Sequence, residues 1–104
     1  MDKRNNIINI IKIYIDLVKQ SNFPLQIEAV YLFGSHAKGN AKKHSDIDVA
    51  LIVNNFEGDY FEIIPPIWML REKVDYRIEP HVIAKDKDYA GFLDEIQKTG
   101  VLIS

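Results

Sequence analysis

Asp46 and Asp48, two acidic residues separated by one position, begin a strongly apolar run that ends at Val53. Alternate residues of a β-strand point to the same face of a sheet, so the two carboxylates are predicted to project side by side. Their mutual repulsion favours a cation bound between them. Oxygen ligands that leave coordination positions open to water and phosphate suit Mg²⁺ or Mn²⁺. The pair is therefore a candidate divalent-metal site.

The Gly34-Ser35 dipeptide, which ends the preceding apolar run at residues 27–33, is a candidate phosphate site. A strand-to-helix turn with glycine exposes backbone N–H groups and a hydroxyl, which suit phosphate oxygens, and Gly34 permits close approach of the chain. Lys38 and Lys43 add positive charge nearby. If the two strands are neighbours, this turn lies near the carboxylate pair. Such a combination is typical of phosphoryl or nucleotidyl transfer.

The elements that would position these residues predict a small α/β (α+β) fold. Apolar runs of strand length alternate with segments of helical periodicity, which predicts the order α-β-α-β-α-β-α and a small mixed β-sheet flanked by helices. Pro80 predicts an edge position or a bulge for the third strand, and Pro65-Pro66 limit the third helix to its later half. The predicted elements are a helix before Ser21, strands at 27–33, 46–53 and 76–84, a helical turn at 36–38, helices within 59–73 and at 88–98 with Gly100 as C-cap, and a short strand at 101–103.

The first predicted helix is apolar around most of its circumference. Its polar positions recur at spacings of three and four, which leaves a narrow polar face between residues 7 and 18. Either this surface is buried within the domain, or part of it contacts a partner protein or a second copy of the chain in a homo-oligomer. Both interpretations stay open at the level of sequence.

Length, charge and composition exclude several classes of protein. With 104 residues, the chain is predicted to be one domain over residues 1–104. A formal net charge of −2 argues against a global nucleic-acid-binding surface. The absence of Cys excludes disulfides and thiolate zinc sites, and predicts a cytoplasmic location. Asn9, Lys12 and Asp16 interrupt the N-terminal apolar run, which is therefore too polar for a signal peptide or a membrane span.

Together, the candidate residues resemble the signature of a known superfamily. Gly34-Ser35, ten intervening residues and then Asp46-Ile47-Asp48 are similar to the motif of the polymerase-beta-type nucleotidyltransferases. The resemblance covers nearly the whole chain and is greatest to the smallest members, the minimal nucleotidyltransferases. It implies the nucleotidyltransferase fold and transfer of a nucleoside monophosphate, AMP from ATP, with release of pyrophosphate. Further positions that match the extended pattern are Ala37, Gly39 and Ser45.

The resemblance also implies a third metal-binding carboxylate on a later strand. Glu79 is the only acidic residue between positions 76 and 84, so it is assigned as this third carboxylate, with Asp75 as the alternative. In the family's arrangement two Mg²⁺ ions, or Mn²⁺, would lie about 3.5 to 4 Å apart, one on the triphosphate and one lowering the pKa of the acceptor hydroxyl. The implied catalytic and metal-binding residues are Asp46, Asp48 and Glu79, and the implied phosphate-binding residues are Gly34, Ser35, Lys38 and Lys43.

Each candidate also has a simpler interpretation. The aspartates alone would be solvated acids at a capped strand end, Glu79 a solvated strand residue and Ser35 a helix N-cap. The three histidines lack metal-ligand spacing and are interpreted as residues at the surface or behind the ligands: His36, His44 and His81. Three aromatic residues at helical spacing are interpreted as core: Tyr60, Phe61 and Trp68.

Three functions follow from the resemblance. Larger members of the superfamily carry extra domains that bind the acceptor, so a short chain implies an acceptor from elsewhere. The resemblance implies a helical HEPN-type partner protein, to which this chain would be the antitoxin and to a hydroxyl of which it would add AMP. The first alternative is a non-catalytic antitoxin that masks the partner's active site. The second is transfer to a small hydroxyl-bearing molecule, as in aminoglycoside-modifying relatives.

Overall fold

The computed structural model describes residues 3–54, 58–87 and 91–104 of the chain. Within these residues the helices and strands follow the predicted order and confirm the predicted fold class. The predicted start of the last helix, at residue 88, lies outside the described residues. The helices are α1 (Lys3–Gln20), α2 (Ser35–Lys38), α3 (Tyr60–Met69) and α4 (Phe92–Thr99); the strands are β1 (Ile27–Phe33), β2 (Ile47–Val53), β3 (Ile78–Ala84) and β4 (Val101–Leu102); short 3₁₀ helices lie at Leu70–Lys73 and Lys85–Lys87.

The strands of the described residues form one mixed sheet in the order β3-β2-β1-β4. β1 pairs antiparallel with β2 and with β4, whereas β2 and β3 are parallel and are joined through α3. β3 lies at an edge of this sheet, as Pro80 predicts. The register pairs Phe33 with Asp48 and Asp48 with Glu79. The end of β1 and the starts of β2 and β3 therefore lie side by side at one end of the sheet.

One face of the sheet packs against α1 and α3. β2, one of the two central strands, contributes Ile47, Val49 and Leu51 to this face, and all three are buried. The Tyr14 hydroxyl of α1 donates a hydrogen bond of 2.6 Å to the Ile67 carbonyl oxygen of α3, and burial raises the pKa of the Tyr14 phenol. This interaction joins the two helices above the core. The helical residues buried there are Ile7, Ile11, Tyr14, Ile15, Val18, Ile63 and Ile67.

The broad apolar surface of α1 is used mainly inside the domain. Positions spaced by three and four residues, from Ile7 to Val18, are buried against the sheet and α3. Ile13 is exposed, and Ile8, Ile10 and Leu17 are partly buried. Most of the apolar surface of α1 is thus buried against the rest of this chain, which is the first of the two interpretations left open by the sequence.

α3 begins earlier than its two prolines predict. The helix starts at Tyr60, where the Asp59 side chain caps it by accepting a 2.9 Å hydrogen bond from the Phe61 backbone N–H. Pro65 and Pro66 lie inside the helix. They remove the backbone donors that would reach the carbonyl groups of residues 61 and 62, two exposed residues whose carbonyls water can satisfy. The prediction that the regular helix is limited to its later half is therefore wrong.

The aromatic residues of α3 do not form the core that their spacing predicts. Ile63 and Ile67 make the buried contacts, whereas the side chain of Phe61 is 85% exposed and Tyr60 is also exposed. Trp68 is partly buried, with the Arg71 guanidinium 4.9 Å from the centre of its ring. The core interpretation is wrong for Tyr60 and Phe61 because two aliphatic residues one turn apart, Ile63 and Ile67, fill the inward positions.

The opposite face of the sheet is covered by α4. Leu93 and Ile96 of this helix pack on Ala50 and Ile52 of β2. Gly91, at a left-handed φ of 67°, is the N-cap, so the helix begins at residue 92, and Gly100 ends it as predicted. Within the described part of the chain, none of the helices combines the length and hydrophobicity needed to cross a bilayer.

Candidate functional site

Gly34 forms the turn between β1 and α2, and this position requires glycine for two reasons. Its φ of 75° lies in the left-handed region that residues with a side chain rarely adopt. A Cβ atom at this position would also collide with the Asp48 carboxylate, whose Cγ atom would lie only 3.2 Å away and whose Oδ2 would lie nearer still. The turn therefore packs directly on the Asp48 carboxylate, as predicted for neighbouring strands.

The four-residue helix α2 links this turn to the segment before β2. Its N-cap is Gly34, and Ser35 is its first residue, so the alternative role of Ser35 as the cap is wrong. Ala37 is buried, and Gly39 ends the helix at a left-handed φ of 79°. His36 Nε2 lies 3.3 Å from the Ser45 carbonyl oxygen. The burial of Ala37 and the left-handed conformation of Gly39 explain why small residues occupy these two positions of the extended motif.

Asp46 precedes β2 instead of lying within it. The Ser45 hydroxyl accepts a 2.8 Å hydrogen bond from the Lys42 backbone N–H, and the Ser45 N–H donates to the Lys42 carbonyl at 3.1 Å. This turn ends at Asp46, which is exposed, and β2 begins with Ile47. The predicted strand start is thus one residue early because residues 42–45 form a closed turn.

Asp48 and Glu79 occupy paired positions on neighbouring parallel strands. One oxygen from each of these carboxylates and one ring nitrogen of His81 all lie within 4.8 Å of one another, so the three groups could hold one metal ion. The pKa of Glu79 is raised, first by burial and then by the negative charges of Asp46 and Asp48 and a hydrogen bond to Asp48; His81 lowers it slightly. Asp46 therefore acts on the site electrostatically, although it is not within this group of three.

His81 is the functional candidate that the sequence analysis undervalued. Its Nε2 atom lies 3.3 Å from Asp48 Oδ1, and its ring meets the Phe33 ring edge-on with 5.1 Å between the centres. Metal-ligand spacing along the sequence did not indicate it. The available signal was strand alternation, because residues 79 and 81 of one strand face the same side of the sheet.

Asp75, the alternative third carboxylate, is bound by Arg77. The Arg77 side chain donates two hydrogen bonds to its carboxylate, of 3.0 Å from Nε and 2.7 Å from Nη2, and the Arg77 backbone N–H donates a third of 2.9 Å. These contacts lower the pKa of Asp75 and form a turn that delays the start of β3 to Ile78. The structure brings Glu79, and not Asp75, to Asp48.

The two candidate lysines lie on the outside of the site. Lys38 ends α2 and Lys43 lies in the turn before Asp46, and both are exposed. The Lys43 carbonyl oxygen accepts a 3.1 Å hydrogen bond from Arg77 Nη1. Within residues 3–54, 58–87 and 91–104, neither lysine ammonium group forms an ion pair. Both remain available to an anion.

The donor set and the glycine turn fit a divalent metal ion and a phosphate. Two carboxylates and an imidazole provide oxygen and nitrogen ligands, and Asp46 adds negative charge beside them. The Asp48 carboxylate fills the space that a side chain at position 34 would take. A phosphate at the backbone of this turn would therefore lie next to the metal ligands, an arrangement able to support phosphoryl chemistry.

Comparisons with known proteins point to nucleotidyltransferases. The family model described as "Polymerase beta, Nucleotidyltransferase" matches residues 5–104. No curated protein matches the sequence significantly.

Several solved structures are similar to this chain. A protein of Sulfolobus solfataricus whose structure carries the provisional name nucleotidyltransferase has a TM-score of 0.63 and 26% identity, over 95% of this chain and 80% of that one. A toxin–antitoxin structure with AMP-PNP has a TM-score of 0.62 and 20% identity, over 88% of this chain and 70% of that one. A mutant of the toxin–antitoxin MntA-HpeT has a TM-score of 0.59 and 19% identity, over 88% and 72%. The two toxin–antitoxin likenesses show a shared fold.

Proposed function

Because the chain belongs to the polymerase beta nucleotidyltransferase family, we propose that it transfers AMP from ATP to a hydroxyl group of a partner protein. The observation that carries this proposal is the position of Asp48 between the Gly34 turn and Glu79. A phosphate-binding turn and metal-binding carboxylates that lie in contact can act on the same nucleotide. Either element alone would have a common structural explanation.

The chain's carboxylates account for the metal requirement of such a reaction. Asp46, Asp48 and Glu79 would hold Mg²⁺, as two ions, with Mn²⁺ as the alternative. A bound divalent ion neutralises phosphate charge and lowers the pKa of an attacking hydroxyl. In the metal-free protein, burial raises the pKa of Glu79 first and the negative charges of Asp46 and Asp48 raise it further, and a bound cation would relieve that repulsion.

The remaining residues bind the nucleotide and move the proton. The backbone N–H groups after Gly34 and the Ser35 hydroxyl donate hydrogen bonds to phosphate oxygens, while Lys38 and Lys43 balance the charge of the triphosphate. The acceptor oxygen forms a bond to the α-phosphorus, and the bond from that phosphorus to the β-phosphate bridging oxygen breaks. Pyrophosphate leaves with the electron pair, and the Glu79 carboxylate, which lies beside Asp48, helps to take the acceptor's proton.

The partner protein is part of this proposal. Two of the similar structures are toxin–antitoxin structures, one of them with AMP-PNP. The exposed side chains of Phe61 and Met69 on α3 offer apolar contact area. We propose a helical HEPN-type toxin as the partner, with this chain as its cytoplasmic antitoxin.

The test is nucleotide transfer by the purified chain with the product of the neighbouring reading frame. We expect pyrophosphate release with ATP, divalent metal and partner, and a partner mass increased by one AMP group. The Asp46→Asn, Asp48→Asn double variant should reduce both by about 100-fold or more. Asp94→Asn, in the exposed α4 ion pair with Lys98, is the control with unchanged activity. Equal transfer by the double variant would overturn the assignment.

Binding without chemistry is the second candidate, favoured by the exposed apolar residues of α3 away from the carboxylates. The same double variant separates the two functions. If it neutralises the partner as well as wild type does, masking explains the antitoxin effect and the chemistry is dispensable. If neutralisation is lost while the complex still forms, the transfer reaction is required.

A further inference from the structure

We propose that His81 is a direct metal ligand beside Asp48 and Glu79, and that its imidazole makes this site prefer first-row transition-metal ions over Mg²⁺. The inference rests on the proposed function, because it concerns the metal ions of the same site. It adds a nitrogen ligand to a set that the sequence motif presents as carboxylates alone.

The distance between His81 and Asp48 suits two ligands of one ion. His81 Nε2 and Asp48 Oδ1 are 3.3 Å apart, slightly beyond the roughly 2.7 to 3.2 Å usual for an N–H···O hydrogen bond. Two adjacent ligands bonded to one ion at about 2.1 Å lie about 3 Å apart. The third donor, a Glu79 carboxylate oxygen, lies within 4.8 Å of both. Small side-chain movements would bring all three onto one ion.

The fold holds the His81 ring toward the carboxylates. Residues 79 and 81 share a face of β3, and their paired partners on β2 are Asp48 and Ala50. Phe33 packs edge-on against the imidazole, and Phe92 of α4 packs edge-on against Phe33, with 5.5 Å between those ring centres. The side chains of His81 and Asp48 are 34% and 23% exposed, so ions in solution reach them.

The nitrogen ligand determines the predicted selectivity. Mg²⁺ prefers oxygen ligands and keeps several of its waters, whereas imidazole is a common ligand of transition-metal ions. Affinity at a mixed nitrogen and oxygen site rises from Mn²⁺ through Co²⁺ to Ni²⁺. A site with His81 should therefore bind Co²⁺ more tightly than Mg²⁺, and removal of the imidazole should weaken Co²⁺ binding selectively.

The experiment titrates Co²⁺ and Mg²⁺ into the full chain without a histidine tag, by calorimetry. His81→Ala and His81→Gln should each lose at least about 10-fold in Co²⁺ affinity, because even groups that only orient a ligand contribute that much, and should change little in Mg²⁺ affinity. Glutamine retains an N–H donor, so it would rescue a residue that only positions Asp48 by a hydrogen bond. The matched control is His44→Gln, because His44 is exposed and lies 3.4 Å from the Tyr76 hydroxyl; it should bind both ions as wild type does.

Pulsed electron paramagnetic resonance of the Mn²⁺-loaded chain reads the ligand directly. Wild type and His44→Gln should show a ¹⁴N coupling to Mn²⁺ that both His81 variants lack. Unchanged Co²⁺ affinity in the His81 variants, equal losses for both ions, or a ¹⁴N coupling that persists in them would each overturn the inference. Thermal melting shows that each variant is folded.

The outcomes distinguish this inference from the proposed function. If the double aspartate variant loses nucleotide transfer but the His81 variants keep wild-type metal selectivity, the function stands and the inference fails. If the His81 variants lose Co²⁺ affinity while wild type transfers no nucleotide to any tested acceptor, the metal site stands and the proposed function fails.

Discussion

The two faces of the sheet differ in how completely they are covered. α1 and α3 close one face over a continuous apolar core. On the other face α4 packs on Ala50 and Ile52, while Asp48, Glu79 and His81 lie partly exposed at one end. The larger apolar core and the candidate site thus lie on opposite faces of the sheet that the four described strands form.

Strand β2 contributes to both faces through strict alternation. Val49 and Leu51 point into the closed core, and Asp48 and Ala50 point to the face of α4. A single register error would exchange the two sets and bury a carboxylate in the core. The apolar residues of β2 therefore fix its register, and this register places the Asp48 side chain on the face of α4.

The largest effect expected from this comparison is on the free energy of unfolding. Leu51→Ala on the closed face should lower it by about 3 to 5 kcal/mol, because α1 and α3 cannot both move to fill the cavity. Ile52→Ala, the matched change on the α4 face, should cost about 2 to 3 kcal/mol, because a single short helix can shift inward. Urea denaturation measures both. If Ile52→Ala lowered the free energy of unfolding as much as Leu51→Ala or more, the expected difference between the two faces of the sheet would be wrong.

Gly34→Ala should affect stability and the site together. The positive φ costs about 1 to 3 kcal/mol for a residue with a side chain, and the new methyl group collides with the Asp48 carboxylate. Gly39→Ala is the control, because its φ is also positive but, apart from its chain neighbours, no atom of the described residues lies within 4 Å of the added Cβ. Calorimetry should show loss of metal binding in Gly34→Ala only. Retained binding in that variant would mean that the turn can move away from the site.

Asp75→Asn tests whether the two acidic residues near β3 have separate roles. Its side chain and that of Arg77 are 14% and 20% exposed, and the bond between them is charged, so the variant should lose about 1.5 to 3 kcal/mol of unfolding free energy at pH 7. Metal binding should be unchanged. A loss of metal affinity comparable to that of Asp48→Asn would instead place Asp75 in the site.

The pH dependence of that loss has a definite sign. The pKa of Asp75 is lowered in the folded protein by the Arg77 hydrogen bonds, so its contribution is complete above the unfolded pKa of about 3.9. The contribution disappears as the pH falls through the lower pKa of the folded state. The difference between wild type and Asp75→Asn should therefore shrink below about pH 4.

Glu79→Gln should have the smallest effect, and it is opposite in sign. The pKa of Glu79 is raised in the metal-free fold, so its ionisation above that pKa destabilises the folded state. The variant should therefore melt at a slightly higher temperature than wild type at pH 7 in the presence of a chelator, with no difference near pH 3, where the carboxyl is protonated in both states. Excess metal should reverse the order. A lower melting temperature of the variant at pH 7 without metal would contradict a raised pKa of Glu79. The control is Glu72→Gln, at an exposed residue beyond α3.

Local sequence patterns predicted much of this fold. Apolar runs located β1 and β2, Gly34 and Gly100 located two turns, and Pro80 indicated an edge strand, all as observed. The start of α3 was missed because the Asp59 cap outweighs the two missing proline donors. Periodicity also failed to identify the inward face of that helix, since aromatic and aliphatic residues share its spacing.

Sequence by itself determined the turn, the strands and the acidic residues, because backbone conformation and side-chain alternation depend on near neighbours. Only the tertiary structure decided which distant groups meet. Pairing of β2 with β3 brings Glu79 and His81 to Asp48, and a local turn leaves Asp75 bound to Arg77. Contacts between strands depend on register and on the packing of both faces, and residue spacing along the chain does not encode either.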